Sequence, residues 1–168
     1  HLCNNNFFSN GIQGGIVSVA AGYALGNKLK KNGAIGVVYI GDGTLGEGTL
    51  YETMNIISKW EIPLLIVCEN NFYAQSTPNS VNLAGDIVSR AAAFGIKTFK
   101  GHTSQPDSLL EDAKTAINFV REEMKPCFFL VETFRLNPHS KGDDDRSPDE
   151  ITSYRQKDYL TLFSEEHG

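Results

Sequence analysis

The chain has 168 residues, of which 40% are hydrophobic, 10% aromatic and 21% charged. That is the size of one domain with enough apolar material for a sizeable core, which excludes disorder as the main state. A net charge of −5 argues against a nucleic-acid partner held by phosphate neutralisation, and no apolar stretch, residues 62–68 included, is long enough to cross a bilayer. The three cysteines, Cys3, Cys68 and Cys127, lack metal-ligand spacing. Cys68 and Cys127 lie in apolar runs and are expected to be buried thiols of a reducing compartment. The chain opens at His1 rather than at a start methionine, so it is expected to be a piece of something longer, lacking its N-terminal part.

In chain order, residues 12–30 are rich in Ala and Gly and end in Asn27, Lys28, Lys30 and Lys31. This predicts a closely packed helix with cations at its C-terminal end. Residues 35–40 form a short β-rich run bounded by glycines, as a buried strand does. Over residues 46–60, Leu50, Met54 and Ile57 share one helical face. Pro63 separates that helix from a strand over residues 64–68, and a polar segment follows to residue 85. Residues 87–94 read as helical and 96–100 as extended. Pro106 opens a helix whose apolar face carries Leu109, Leu110, Ala113, Ala116, Ile117 and Val120. Residues 127–133 read as a strand, 134–148 as a charged loop, and 149–166 as a last helix with Tyr154, Tyr159, Leu162 and Phe163 as contacts. The alternation predicts a single α/β domain, a mostly parallel sheet flanked by helices on both faces. In such sheets ligands bind beyond the carboxyl ends of the strands. The loops after residues 40, 68 and 133 are therefore the functional candidates.

The first of these reads Gly41-Asp42-Gly43-Thr44-Leu45-Gly46-Glu47-Gly48. Glycines admit close approach of a ligand, and free N–H groups at a helix start attract anions, so a phosphate site is expected. Two readings compete. Gly41, Gly43 and Gly46 imitate a dinucleotide-binding fingerprint, with Glu69 as its acid, but that acid comes late. Asp42 would also point a carboxylate at pyrophosphate, which is repulsive unless a cation lies between them. The second reading supplies the cation. Asn70-Asn71 closes the neighbouring strand, so Asp42 and Asn71 can converge on one magnesium ion, which takes a few protein oxygens and fills the rest of its six positions from phosphate and water. Taken singly, Asp42 is a turn or cap residue and Asn70-Asn71 a turn pair. Their occurrence on adjacent strand ends with a glycine loop favours the metal.

Gly41-Asp42-Gly43, twenty-six residues and then Asn70-Asn71 resembles the thiamine-diphosphate motif. The whole stretch from Gly41 to Ser76, with Glu52, Asn55, Trp60, Pro63 and the run Glu69-Asn70-Asn71-Phe72-Tyr73-Ala74, closely resembles the alpha subunit of the first component of the 2-oxo acid dehydrogenase complexes (pyruvate, branched-chain and acetoin dehydrogenases). In that family the Asp of the motif, the second Asn and the carbonyl two residues later bind magnesium. The resemblance implies those roles for Asp42, Asn71 and Tyr73, and diphosphate contacts from the backbone of Gly43 and Thr44 in the loop begun by Gly41. Asn6-Phe7-Phe8 and Gly11-Ile12-Gln13-Gly14 are similar to the segment ahead of the motif, whose backbone at the positions of Gly11 and Gln13 touches the aminopyrimidine; the family commonly has an apolar residue where Gln13 stands. Phe134-Arg135 and His139-Ser140 resemble the family's mobile loop, which implies that His139 reaches the diphosphate and the reacting centre. Asn137-Pro138 and Lys141-Gly142-Asp143-Asp144 depart from that pattern. Transketolases share Gly-Asp-Gly-x-Leu-x-Glu-Gly, but the residues at 69–74 and the His-Ser loop fit them poorly.

Of the other polar residues, His1 is read equally as a frayed end or a phosphate contact, His102 and His167 as solvated or terminal, and Asp143-Asp144-Asp145 as a solubilising run in which one aspartate could grip Arg135 or Arg146. Glu52 and Asn55 share a helix face and, by the resemblance, support a subunit contact. The family also needs a glutamate that activates the aminopyrimidine, supplied by a beta-type subunit. No residue here takes that role, so the chain is expected to hold half a site. Its implied partners are that beta-type subunit, a 2-oxo acid and a lipoyl-bearing acyltransferase, with thiamine diphosphate and magnesium as cofactors and the cytoplasm or mitochondrial matrix as its place. A nicotinamide-binding oxidoreductase domain and a non-catalytic interaction subunit are the rival expectations.

Overall fold

The computed structural model describes residues 2–4 and 6–167. The elements are β1 (Leu2–Asn4), β2 (Phe7–Ser9), α1 (Gly15–Lys30), β3 (Gly36–Gly41), a 3-10 turn (Asp42–Gly46), α2 (Gly48–Lys59), β4 (Leu64–Asn70), β5 (Tyr73–Ala74), β6 (Thr77–Pro78), α3 (Asn79–Asn82), α4 (Ile87–Ala92), β7 (Lys97–His102), α5 (Pro106–Glu123), β8 (Cys127–Glu132), α6 (Pro148–Arg155) and α7 (Tyr159–His167). Strands β3, β4, β8 and β7 lie side by side in that order, all parallel. The expected α/β class and parallel sheet hold.

The two faces of the sheet follow from strand alternation. Leu64, Ile66 and Cys68 of β4 join Val38, Ile40, Phe128 and Leu130 under α1, α2 and α4. Leu65 and Val67 join Cys127, Phe129 and Val131 under α5. Both faces of β4 are thus covered, which is why it reads as an unbroken apolar run. Leu50, Met54 and Ile57 are fully buried on the inner side of α2, as their spacing predicts. On α5 the buried positions are Ala116 and Val120, while Leu110 turns outward and is mostly exposed.

Close approach of α1 to the sheet depends on its small residues. Val17, Ala21 and Ala24 face inward. A Cβ on Gly36 of β3 would lie 2.9 Å from the Ala24 Cβ and 2.9 Å from a Leu64 methyl, so only glycine fits there. Gly22 and Gly26 lie on the open side of the same helix, where an added Cβ meets nothing within 4 Å. Lys28, near the end of α1, donates to the carbonyls of Trp60 and Glu61, 2.8 Å each. That cation satisfies carbonyls at the end of α2 and ties the two helices together.

Three features differ from expectation. The hairpin β1–β2 and the two-residue pair β5–β6 are too short to carry a strand period. Residues 149–166 form two helices rather than one. Asp158 accepts from the Thr161 backbone N–H at 3.3 Å, so it caps a new helix where a continuous one would have run. Among the described residues no helix is long and apolar enough to cross a membrane.

Candidate functional site

The parallel ladder between β3 and β4 runs from Gly36↔Leu64 to Gly41↔Glu69. Asp42 and Asn70 therefore leave the sheet side by side, both only 3% exposed. The Asp42 Oδ1 accepts from the Gly43 N–H at 3.0 Å, and its Oδ2 accepts from the Asn79 Nδ2 at 3.0 Å. The backbone N–H groups of Phe72 and Tyr73 also act on this carboxylate. Burial raises its pKa above the ordinary value, and these neutral donors only partly offset that.

The second half of the site is a chain reversal built from amide side chains. The Asn70 Oδ1 accepts from the Phe72 N–H and the Asn71 Oδ1 from the Tyr73 N–H, each at 3.1 Å. These are two successive Asx turns, and Phe72 takes a positive φ of 70° between them. β5 and β6 then fold back, and the Asn79 N–H donates to the Phe72 carbonyl at 2.8 Å. Ala74 comes to lie against the glycine turn, its Cβ 3.3 Å from where a Gly43 Cβ would stand. A side chain at position 43 would press on that strand. At Gly41, Gly46 and Gly48 an added Cβ meets nothing within 4 Å, so the turn is walled on the Ala74 side and open along its length.

The segment before α1 joins the same turn. The Thr44 hydroxyl donates to the Gln13 side-chain oxygen, and Gly14, at φ 77°, sits against Glu47, whose Cβ would lie 3.0 Å from a Cβ at position 14. Gln13 thus reaches Thr44 with its side chain. Gly11 is exposed and has no neighbour within 4 Å of a Cβ position.

The third loop is fastened to the chain reversal at both ends. Thr133 N–H donates to the Asn70 carbonyl at 3.0 Å and Arg135 donates to the Gln75 carbonyl at 2.8 Å. The Tyr73 hydroxyl donates to the Glu150 carboxylate at 2.7 Å. Burial, and then that carboxylate, push the Tyr73 hydroxyl up to about 12. Arg146 pairs with Asp144 at 2.7 Å, donates to the carbonyls of Arg135 and Asn137, and lies 5.6 Å over the Tyr73 ring. The expected grip of an aspartate on an arginine is present as Asp144 on Arg146, and it holds the Asp144 carboxyl down at about 2. The Arg146 guanidinium is thereby occupied within the loop. His139 is exposed at the tip, next to Ser140, whose N–H and hydroxyl both bind Asp143.

The structure thus gathers Asp42, Gly43, Thr44, Gln13, Asn71 and Tyr73 at one end of the sheet and brings the His139 loop alongside through Tyr73. Sequence reasoning missed Asn79 and Glu150, because both reach the site through tertiary folding. Among the described residues there is no group of three or more His, Cys, Asp or Glu side chains placed to hold a metal. The donors here are one carboxylate with amide and carbonyl oxygens, a set suited to a hard cation such as magnesium rather than to zinc.

The chain matches the family described as dehydrogenase E1 component over residues 2–166. It is 31% identical to the pyruvate dehydrogenase E1 component subunit alpha of Rickettsia conorii over 169 residues, covering 97% of this chain and 52% of that protein. It is 34% identical to the alpha subunit of the acetoin:2,6-dichlorophenolindophenol oxidoreductase of Cupriavidus necator over 159 residues, covering 92% and 48%. The chain therefore spans about half the length of these relatives. In fold it is similar to a transketolase of Campylobacter jejuni, with a TM-score of 0.59 at 20% identity, over 72% of this chain and 20% of that one. With the matched residues taking in the glycine turn, the chain reversal and the His139 loop alike, the chain belongs to the dehydrogenase E1 component family.

Proposed function

We propose that this chain is the diphosphate- and magnesium-holding half of a thiamine-diphosphate-dependent 2-oxo acid dehydrogenase, an alpha-type subunit that works with a beta-type partner. The observation that carries the reading is the burial of Asp42 at a glycine turn, with neutral donors around it and the Asn71–Tyr73 reversal folded over it. A buried carboxylate at a phosphate loop makes electrostatic sense with a cation between the two.

When bound, thiamine diphosphate supplies the carbon nucleophile for decarboxylating a 2-oxo acid; the protein supplies binding, orientation and electrostatics. Asp42, the Asn71 side-chain oxygen and the Tyr73 carbonyl hold magnesium. The backbone of Gly43 and Thr44, in the turn opened by Gly41, meets the diphosphate, and the backbone at Gly11 and Gln13 meets the aminopyrimidine. The Gln13–Thr44 hydrogen bond links those two regions. His139, at the loop tip, holds or donates a proton at the reacting centre when the loop closes. A glutamate from the beta-type partner completes the site, and a lipoyl-bearing acyltransferase takes the acyl group. The nicotinamide reading is disfavoured by Asp42, whose carboxylate would repel a pyrophosphate bound at this turn without a cation.

Isothermal titration of thiamine diphosphate into the chain with a beta-type partner tests this. Binding should require magnesium. Magnesium-independent binding, or tight NADH binding in its place, would overturn the reading.

A further inference from the structure

We propose that Asn79 is a positioning residue for the cation site, fixing the Asp42 carboxylate in the orientation in which it receives the ion. The inference rests on the function proposed above. Asn79 lies outside the paired motif, and its single Nδ2 donates at 3.0 Å both to the Asp42 Oδ2 and to the Asn70 Oδ1. An amide NH2 has two N–H bonds, and here each is spent on an acceptor from a different strand end. Both partners are pure acceptors in this geometry, so a flipped amide would set oxygen against oxygen. The orientation of the group is thereby dictated, and its Oδ1 is left buried without a partner.

The residue is itself held firmly. Its N–H donates to the Phe72 carbonyl at 2.8 Å and its carbonyl accepts from Leu83 at 2.9 Å. With the Gly43 N–H on Oδ1 and Asn79 on Oδ2, the plane of the Asp42 carboxylate is set from both sides. Outer groups of this kind orient metal ligands, and their loss typically costs 10–100-fold in metal affinity.

The test uses the chain with its beta-type partner and reads the magnesium half-saturation for thiamine diphosphate binding by titration calorimetry. Asn79→Ala and Asn79→Leu, the second keeping the volume while removing the donors, should raise that half-saturation about 10–100-fold. Asn79→Ser, which retains one donor and is the mildest change to the fold, should fall between them and the wild type. At saturating magnesium all three should turn over within about twofold of the wild type, because the carboxylate itself is intact. Magnesium-dependent binding in the wild type with unchanged half-saturation in the Ser, Ala and Leu variants would overturn the inference and leave the proposed function standing. A maximal rate that excess magnesium cannot restore in Asn79→Ser would also overturn it. A wild type indifferent to magnesium would remove the proposed function and this inference with it.

Discussion

Asp42 meets opposed demands, and they predict a separable phenotype. Burial raises its pKa above the ordinary 3.8, so the folded chain binds a proton there more readily than the unfolded chain does. By linkage, its contribution to the stability of the cation-free chain declines as pH rises through the interval above 3.8. Asp42→Asn removes a buried charge but turns an amide NH2 toward either the Gly43 N–H or the Asn79 Nδ2, so the two effects oppose and the cation-free chain should melt close to the wild type at neutral pH. The same variant should lose all magnesium-dependent stabilisation by thiamine diphosphate. Thermal melts with and without both ligands measure the two effects together; a melting point raised by ligand in Asp42→Asn as in the wild type would refute the assignment. In the wild type, cation affinity should weaken on acidification at a higher pH than an ordinary carboxylate would give, since the ion must displace a proton held more tightly than usual. Asp42 and Asn71 could be paired from the sequence because a glycine turn and an Asn pair mark the ends of adjacent strands, whereas Tyr73 entered only through the family resemblance. Asn79 was not, because its contact with Asp42 arises only after β5 and β6 reverse the chain, and no local spacing encodes that reversal.

At the scale of elements, the alternation of strands and helices was legible because each core strand is apolar and each helix carries a clear buried face. What stayed hidden is how the loop between β8 and α6 is fastened. Its composition predicts a mobile segment that orders over a bound cofactor. The structure divides it instead into anchored ends and an exposed tip. Arg146 and Asp144 are 3% and 12% exposed at the side chain, so removing Arg146 strands an aspartate and frees two carbonyls at once. Arg146→Ala should therefore speed tryptic cleavage after Arg135. In the wild type, Lys141 at the tip should be the preferred site, and cleavage there should slow when thiamine diphosphate, magnesium and the partner are added. Equal rates at Lys141 with and without them would mean that the tip does not close and that His139 stays away from the reacting centre. Acid gives a further check. The Asp144 carboxyl is held at about 2 by its hydrogen bond from Arg146. Its contribution is therefore present above the ordinary carboxyl pKa of about 4 and is lost as pH falls through about 2. Amide exchange across residues 135–146 should remain protected at pH 4 and rise below pH 2.5, both set as approximate marks about that transition.

The whole molecule shows two sheet edges treated in opposite ways, and from this its association follows. The β7 edge carries Lys97 and Lys100, charges that discourage pairing with another strand. The β3 edge reads Gly36-Val37-Val38-Tyr39-Ile40-Gly41 with no charge at all, and among the described residues β3 pairs only with β4. Val37 and Tyr39 stand opposite Leu65 and Val67 in the ladder and so point to the α5 side of the sheet. α5 covers the β4 residues but leaves Val37 44% and Tyr39 65% exposed. Alongside runs a groove of about 750 Å³ lined by Phe7, Phe8, Val19, Tyr23, Val37 and Tyr39. Among the small residues of α1, Ala21 and Ala24 pack within the chain, while Gly22 and Gly26 stay open in a separate hollow beside the groove, with Val19 and Tyr23 lining both. An uncharged, unpaired strand beside a groove with this many apolar side chains is a template for a second strand. The isolated chain should therefore self-associate in sedimentation velocity, and under the proposed function, which assigns the activating glutamate to the beta-type partner, it should be silent toward 2-oxo acids above a cofactor-only control. Replacing Val37 and Tyr39 together by lysine gives the edge the protection that β7 already has, and should shift the chain toward monomer with little change in its melting point, since both side chains are largely exposed. A double variant that associates as strongly as the wild type would show that the contact lies elsewhere on the surface.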